Sequence, residues 1–157
     1  MKILVINGPN MKTLGRRNPS VYGSMTLSEL NAAVRKEALR LGLKTLFFQS
    51  NSEGAIIDFI EKHSASSDGI LINPAAYTHY SVAIRDALEA SALPAVEVHL
   101  SDIESREPFR RKSITGGACA KVFMGGGASS YLKGLRCLDG ILKNGTYKAH
   151  KGRDKEN

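Results

Sequence analysis

The segment Glu97-Val98-His99-Leu100-Ser101 places a carboxylate and an imidazole two positions apart. Side chains of an extended chain alternate with period two, so Glu97, His99 and Ser101 share one face, with Val96, Val98 and Leu100 on the other. A strand inside a parallel sheet is ordinarily apolar on both faces, and an unpaired charge buried there is costly. Pairing removes that cost: Glu97 orients or protonates His99, and His99 faces a site where it can exchange a proton near neutrality. The plain alternative is a satisfied core histidine beside a chance glutamate. A Glu-x-His metal pair has no clear third ligand and fits zinc poorly.

Other segments carry polar groups suited to a small ligand. Asn7-Gly8-Pro9-Asn10 is followed by a connection from Met11 to Met25 that contains Arg16, Arg17 and Tyr22 between glycines. Loops between a strand and a helix commonly span about 2–6 residues, so one this long reads as a functional lid or, failing that, as a solvated surface loop. Asn73-Pro74-Ala75-Ala76-Tyr77-Thr78-His79 places an asparagine at a strand end, where it serves as a turn former or a ligand contact. On one helix, His79 and Asp86 would share a face about 10 Å apart along the axis. That is too far for both to grip one small ligand, so one of them would serve a neighbouring subunit's site. Arg106, Arg110, Arg111 and Lys112 form a dense basic segment, either a solvated face or a contact for substrate or lid. Gly125-Gly126-Gly127 reads as a tight turn, because Ser130 stands where a dinucleotide fingerprint needs its third glycine.

The elements that must position these groups alternate in kind. Apolar runs of strand length lie near 3–6, 44–48, 69–72, 95–99 and 119–124, with amphipathic stretches of helical period between and after them. Thr26 and Glu29 make a capping box for the first helix, whose apolar side is Leu27, Leu30, Val34, Ala38 and Leu41, with Gly42 as its stop. Ser52 is expected to cap the second, which buries Ile56, Ile57, Phe59 and Ile60. The third is expected to begin near His79 and run through Val82, Ala83 and Ala87. The last carries Leu132, Leu135, Leu138 and Leu142. Five such units with right-handed crossovers predict an α/β fold: a flavodoxin-like three-layer sandwich on a five-stranded parallel sheet of order 2-1-3-4-5, with ligands beyond the carboxyl ends of the strands.

Composition sets the bounds. At 157 residues the chain is expected to form a single domain over 1–145, followed by a basic, disordered tail over 146–157. A chain of this size buries roughly 68–70% of its unfolded surface and needs no staple. Cys119 and Cys137 lack disulfide or zinc spacing and read as small core residues. The net charge of +7 includes +3 from the residues after Leu142. The remainder includes Arg16, Arg17, Arg106, Arg110, Arg111 and Lys112, which suits a small anion as well as a phosphate backbone. The opening apolar run is too short for a signal sequence and no run approaches the ~20 residues of a membrane span, so the expected location is cytoplasmic. Two competing classes are a flavin- or nucleotide-binding module, for which a phosphate loop is missing, and an RNA-binding domain, for which clustered aromatics are missing.

Over nearly its whole length the chain resembles the type II 3-dehydroquinate dehydratases. The resemblance rests on Asn7-Gly8-Pro9-Asn10, Leu14-Gly15-Arg16-Arg17 through Val21-Tyr22-Gly23, Gln49 to Gly54, Ile72 to His79, Ser81 to Asp86, Glu97 to Ser101 and Arg106 to Arg110. It implies a cofactor-free hydro-lyase that converts 3-dehydroquinate reversibly to 3-dehydroshikimate through an enolate, in the shikimate pathway or quinate breakdown. Its subunits would assemble as a dodecamer of trimers. It further implies Tyr22 as the base and His99 as the acid, with Asn10 holding a water that stabilises the enolate. Arg17, in the lid, and Arg106 would favour the tyrosinate. Asn73 and Ser101, with backbone amides such as that of Leu100, would bind the carboxylate. His79, Arg110 and a neighbour's Asp86 would hold the ring hydroxyls, and Glu97 would orient His99. A free tyrosine has a pKa of about 10, so a base near neutrality needs about 1.4 kcal/mol of anion stabilisation per unit of lowering, which guanidinium groups can supply. The sequence departs from the family pattern at Tyr80, bulkier than expected, and over Lys121 to Met124, more apolar and basic; both lie outside this residue set.

Overall fold

The computed structural model describes residues 1–16 and 24–145. Tyr22, Arg17 and the basic tail lie outside the described residues. Five parallel strands, β1 (Lys2–Asn7), β2 (Lys44–Gln49), β3 (Gly69–Asn73), β4 (Ala95–Val98) and β5 (Lys121–Phe123), form one sheet in the order β2-β1-β3-β4-β5. Among the described residues, four α-helices, α1 (Leu27–Arg40), α2 (Glu53–Ser64), α3 (Val82–Ala90) and α4 (Ala128–Asn144), cover its two faces. The expected α/β architecture and strand order are present.

Alternation along the strands divides the core. Ile3 and Val5, with Leu71, Val96 and Val98, face Leu30, Val34 and Ala38 of α1 and Tyr131, Leu135 and Leu138 of α4. Leu4 and Ile6, with Ile70, Ile72 and Ala95, face Ile56 and Ile60 of α2 and Ile84 and Leu88 of α3. Ile3 to Ile6 are fully buried; each such side chain contributes about 1.5–3 kcal/mol relative to exposure. Pairing β1 with both β2 and β3 makes β1 the point where the chain reverses direction across the sheet.

Local signals place the helices. Thr26 Oγ1 accepts from the Glu29 amide while Glu29 returns a bond to the Thr26 amide, and Gly42 takes a left-handed φ of 73° after α1. Ser52 accepts from the Ala55 amide to cap α2. One helix expectation is corrected. His79 is not on α3: residues Ala75–His79 form a 3-10 turn, and α3 starts only after Ser81, which caps it by accepting from the Ile84 amide. The buried side of α3 is Ile84, Ala87 and Leu88, with Val82 exposed. In α4 the buried stripe is Tyr131, Leu135 and Leu138, with Leu132 and Leu142 half-buried against the same cluster. Cys119 and Cys137 sit half-buried at the edges of the two clusters. Strand β5 begins at Lys121, two residues later than expected. Among the described residues no helix is long and apolar enough to cross a membrane.

Candidate functional site

The carboxyl ends of β1, β3 and β4 open onto one pocket. Its lining includes Asn10 and Met11 after β1, Asn73 and His79 from β3 and the turn beyond, His99, Leu100 and Ser101 after β4, and Arg106 and Arg110 from the basic segment. Eight residues expected at the site therefore converge: Asn10, Asn73, His79, His99, Leu100, Ser101, Arg106 and Arg110. Glu97 lies behind His99. Asp86 is exposed on α3 and outside this lining. Arg111 and Lys112 are exposed, so only half of the basic segment reaches the pocket.

Close backbone approach builds the floor. The Gly8 amide donates to the Asn73 carbonyl at 2.8 Å, and a Cβ on Gly8 would lie 2.2 Å from the Pro74 carbonyl oxygen. Only glycine fits there. Asn10 adopts a left-handed φ of 65°, and its amide donates to Asn51 Oδ1. Ala75, at φ 53°, is a non-glycine in the same strained region, held by donating its amide to Asn73 Oδ1.

The Glu97–His99 pair sits at the end of β4. The strand stops at Val98, but the His99 amide still donates to the Phe123 carbonyl at 2.8 Å, which keeps its side chain in register with Glu97. His99 Nε2 lies 2.7 Å from Glu97 Oε1. Three hydroxyls surround the same carboxylate: Thr78 and Ser113 donate to Oε1 at 2.8 and 2.7 Å, and Thr115 donates to Oε2. Burial alone pushes the Glu97 carboxyl up. The hydrogen bond and charge of His99, with Thr115 and Ser113, outweigh it and hold the group below the usual carboxylate range. An ionised Glu97 only accepts, so Nε2 carries the hydrogen and Nδ1 is the ring nitrogen left for other partners. His79 is placed by its Nδ1, 2.9 Å from the Lys112 carbonyl oxygen. A carbonyl only accepts, so Nδ1 donates, and Nε2 of the neutral ring is an acceptor.

Two groups of site residues were not found in the sequence. Thr78, Ser113 and Thr115 cage Glu97 but come from segments with no helical or strand period. Tyr131, fully buried in α4, donates to Asn7 Oδ1 at 2.6 Å and accepts from Asn73 Nδ2 at 2.8 Å beneath the pocket. Burial pushes its phenol well above the ordinary tyrosine value, with the Asn73 bond working the other way, so it is neutral. Its signal was present: positions 131, 135, 138 and 142 are spaced 4-3-4, the helical stripe itself. Among the described residues no group of His, Cys, Asp and Glu could hold a metal ion.

Fold and pocket together define a flavodoxin-like α/β protein with a buried carboxylate–imidazole pair and arginines at its switch point, suited to a small anionic ligand. The family model for Dehydroquinase class II matches residues 1–139. The chain is 54% identical to the 3-dehydroquinate dehydratase of Geotalea daltonii over 143 residues, covering 91% of this chain and 99% of that protein. It is 50% identical to the 3-dehydroquinate dehydratase of Carboxydothermus hydrogenoformans, covering 91% and 93% respectively. Among solved structures, the type II dehydroquinase of Butyrivibrio crossotus superposes with a TM-score of 0.86 at 42% identity, covering 88% of this chain and 97% of that one. The chain belongs to the class II dehydroquinase family.

Proposed function

We propose that this protein is a type II 3-dehydroquinate dehydratase, a hydro-lyase acting in the shikimate pathway or quinate breakdown. The observation that carries the reading is the buried Glu97–His99 pair, opening on a pocket with Asn73, Ser101, Arg106 and Arg110, in a chain of this family. The ligand carboxylate is held by Asn73 and Ser101, with the Leu100 backbone beside them. His79 Nε2 accepts from a ring hydroxyl, and Arg110 donates to another.

Tyr22, as its anion, removes a proton from the carbon next to the ketone, and the electron pair moves onto the ketone oxygen as an enolate. A water held by Asn10 stabilises that oxygen. As the enolate collapses, the ring C–O bond breaks and the departing hydroxyl takes a proton from His99 to leave as water. Glu97, kept ionised by its hydroxyl cage, stabilises the imidazolium that supplies this proton. Arg17 and Arg106 lower the cost of the tyrosinate. No cofactor or metal enters a step.

Asp86 reaches a neighbour's pocket in an assembly of trimers, four of which make a dodecamer. Support comes from its exposed position on α3 beside exposed Val82 and Tyr80. The expected compartment is the cytoplasm.

The test is an ultraviolet assay for the conjugated enone formed from 3-dehydroquinate. Its appearance supports the reading, and its absence with well-folded protein defeats it. Borohydride added with substrate leaves the enzyme active, because no lysine imine forms; covalent trapping on a lysine would sink the enolate route.

A further inference from the structure

Tyr131 is far from the acid–base pair in sequence, yet its hydroxyl joins two asparagines at the ends of neighbouring strands. The hydrogen bonds have a forced direction. The Ala75 amide can only donate, so Asn73 Oδ1 is its acceptor and Asn73 Nδ2 is the donor to Tyr131 Oη. Tyr131 then has its own hydrogen free for Asn7 Oδ1 at 2.6 Å. The second hydrogen of Asn73 Nδ2 points to Met11 Sδ at 3.8 Å, a weak acceptor that also lines the pocket. One N–H of Asn73 is thus fixed inside the protein, and the other faces the cavity with a partner that an anionic oxygen would readily replace.

The packing that puts Tyr131 there is equally specific. Gly134, one turn later in α4, lies so close to the sheet that a Cβ would sit 2.6 Å from Val98 Cγ1 and 2.9 Å from Leu71 Cδ1. The helix therefore rests directly on β3 and β4 and carries the phenol ring between β1 and β3. Asn7 and Asn73 are paired in register across those strands.

We infer that Tyr131 is a positioning residue for ligand binding: its hydroxyl locks the Asn73 side-chain amide so that one N–H is presented to the ligand carboxylate. The inference rests on the reading of the pocket given under Proposed function.

The test is a double-mutant cycle read as KM and kcat for 3-dehydroquinate dehydration. Tyr131→Phe raises KM about tenfold, the scale of a lost hydrogen bond to a charged group, while kcat falls far less. In an Asn73→Ala background the same substitution changes KM by less than about twofold, because the residue it acts through is gone. An unchanged KM in Tyr131→Phe, or an equal factor in both backgrounds, overturns the inference. If Tyr131→Phe does not fold, nitrogen-15 spectra of the wild-type chain decide: the Asn73 side-chain amide, assigned by its loss in Asn73→Ala, shifts on adding 3-dehydroshikimate. An unmoved resonance at saturation overturns the inference as well. Wild-type protein that does not turn over 3-dehydroquinate refutes the functional reading itself, an outcome distinct from a functional enzyme whose KM ignores Tyr131.

Discussion

His99 Nε2 stands 2.7 Å from Glu97 Oε1, with the two side chains 5% and 0% exposed. A pair so placed acts as a unit, because removing the carboxylate leaves a buried imidazole with no counter-charge for its protonated form. Glu97→Gln is therefore expected to lower kcat by at least ~10²-fold, the scale of a general acid. The dehydration assay checks this, and near wild-type turnover would remove Glu97 from the mechanism. Because its carboxyl is held below the usual range, Glu97 favours the folded state above that range. This contribution fades as pH falls through the lowered value.

Thr115 donates to Glu97 Oε2 from a fully buried position. Thr115→Val keeps the shape and removes the donor, so the Glu97 pKa rises and the acid limb of the pH–rate profile moves to higher pH. Stability falls by about 1–3 kcal/mol. An unmoved acid limb would show that the cage does not tune the pair.

Tyr22→Phe and His99→Ala are each expected to reduce turnover at least ~10²-fold with the fold intact. Kinetics alongside circular dichroism separate loss of chemistry from loss of structure. Wild-type rates in either variant would exclude that side chain as base or acid.

Gly8→Ala forces a methyl to within 2.2 Å of the Pro74 carbonyl oxygen. Backbone on both sides must shift, so the variant is expected to lose about 1–3 kcal/mol of stability and to distort Asn10 and Asn73 together. Chemical denaturation measures the first effect and KM the second. An unaltered protein would contradict the close approach of the two strand ends.

Glu37 of α1 bonds Arg40 on the same helix and Arg136 on α4, and these hold its carboxyl down to about 2. A lowered folded value means that its contribution is complete above the ordinary carboxylate range and is lost as pH falls from about 4.5 to about 2. Glu37→Gln should lower the Tm at pH 7, with the difference from wild type closing toward pH 2. A gap that persists at pH 2 would assign its role to packing.

Much of this was legible in the sequence, for identifiable reasons. Strand order followed from five alternating units. Thr26 with Glu29, and Ser52, announced helix starts because caps act locally. Period two put Glu97 and His99 on one face, and their cost of burial made pairing the economical expectation. What could not be read depended on distant segments meeting. The break between His79 and α3 hinges on Ser81 taking the Ile84 amide, whereas the sequence there carries an unbroken helical period. Thr78, Ser113 and Thr115 meet at Glu97 only through the fold. Tyr131 is masked by its leucine neighbours, which read as the apolar stripe, although the 4-3-4 spacing includes the tyrosine.

Gly134 gives the molecule an indirect sensitivity. It has no place in the pocket, yet its missing side chain sets how low α4 rides on the sheet. A methyl at this position would raise the helix and withdraw the phenol from the two asparagines. Loss of affinity would then originate beneath the pocket, in a residue that touches nothing the enzyme binds.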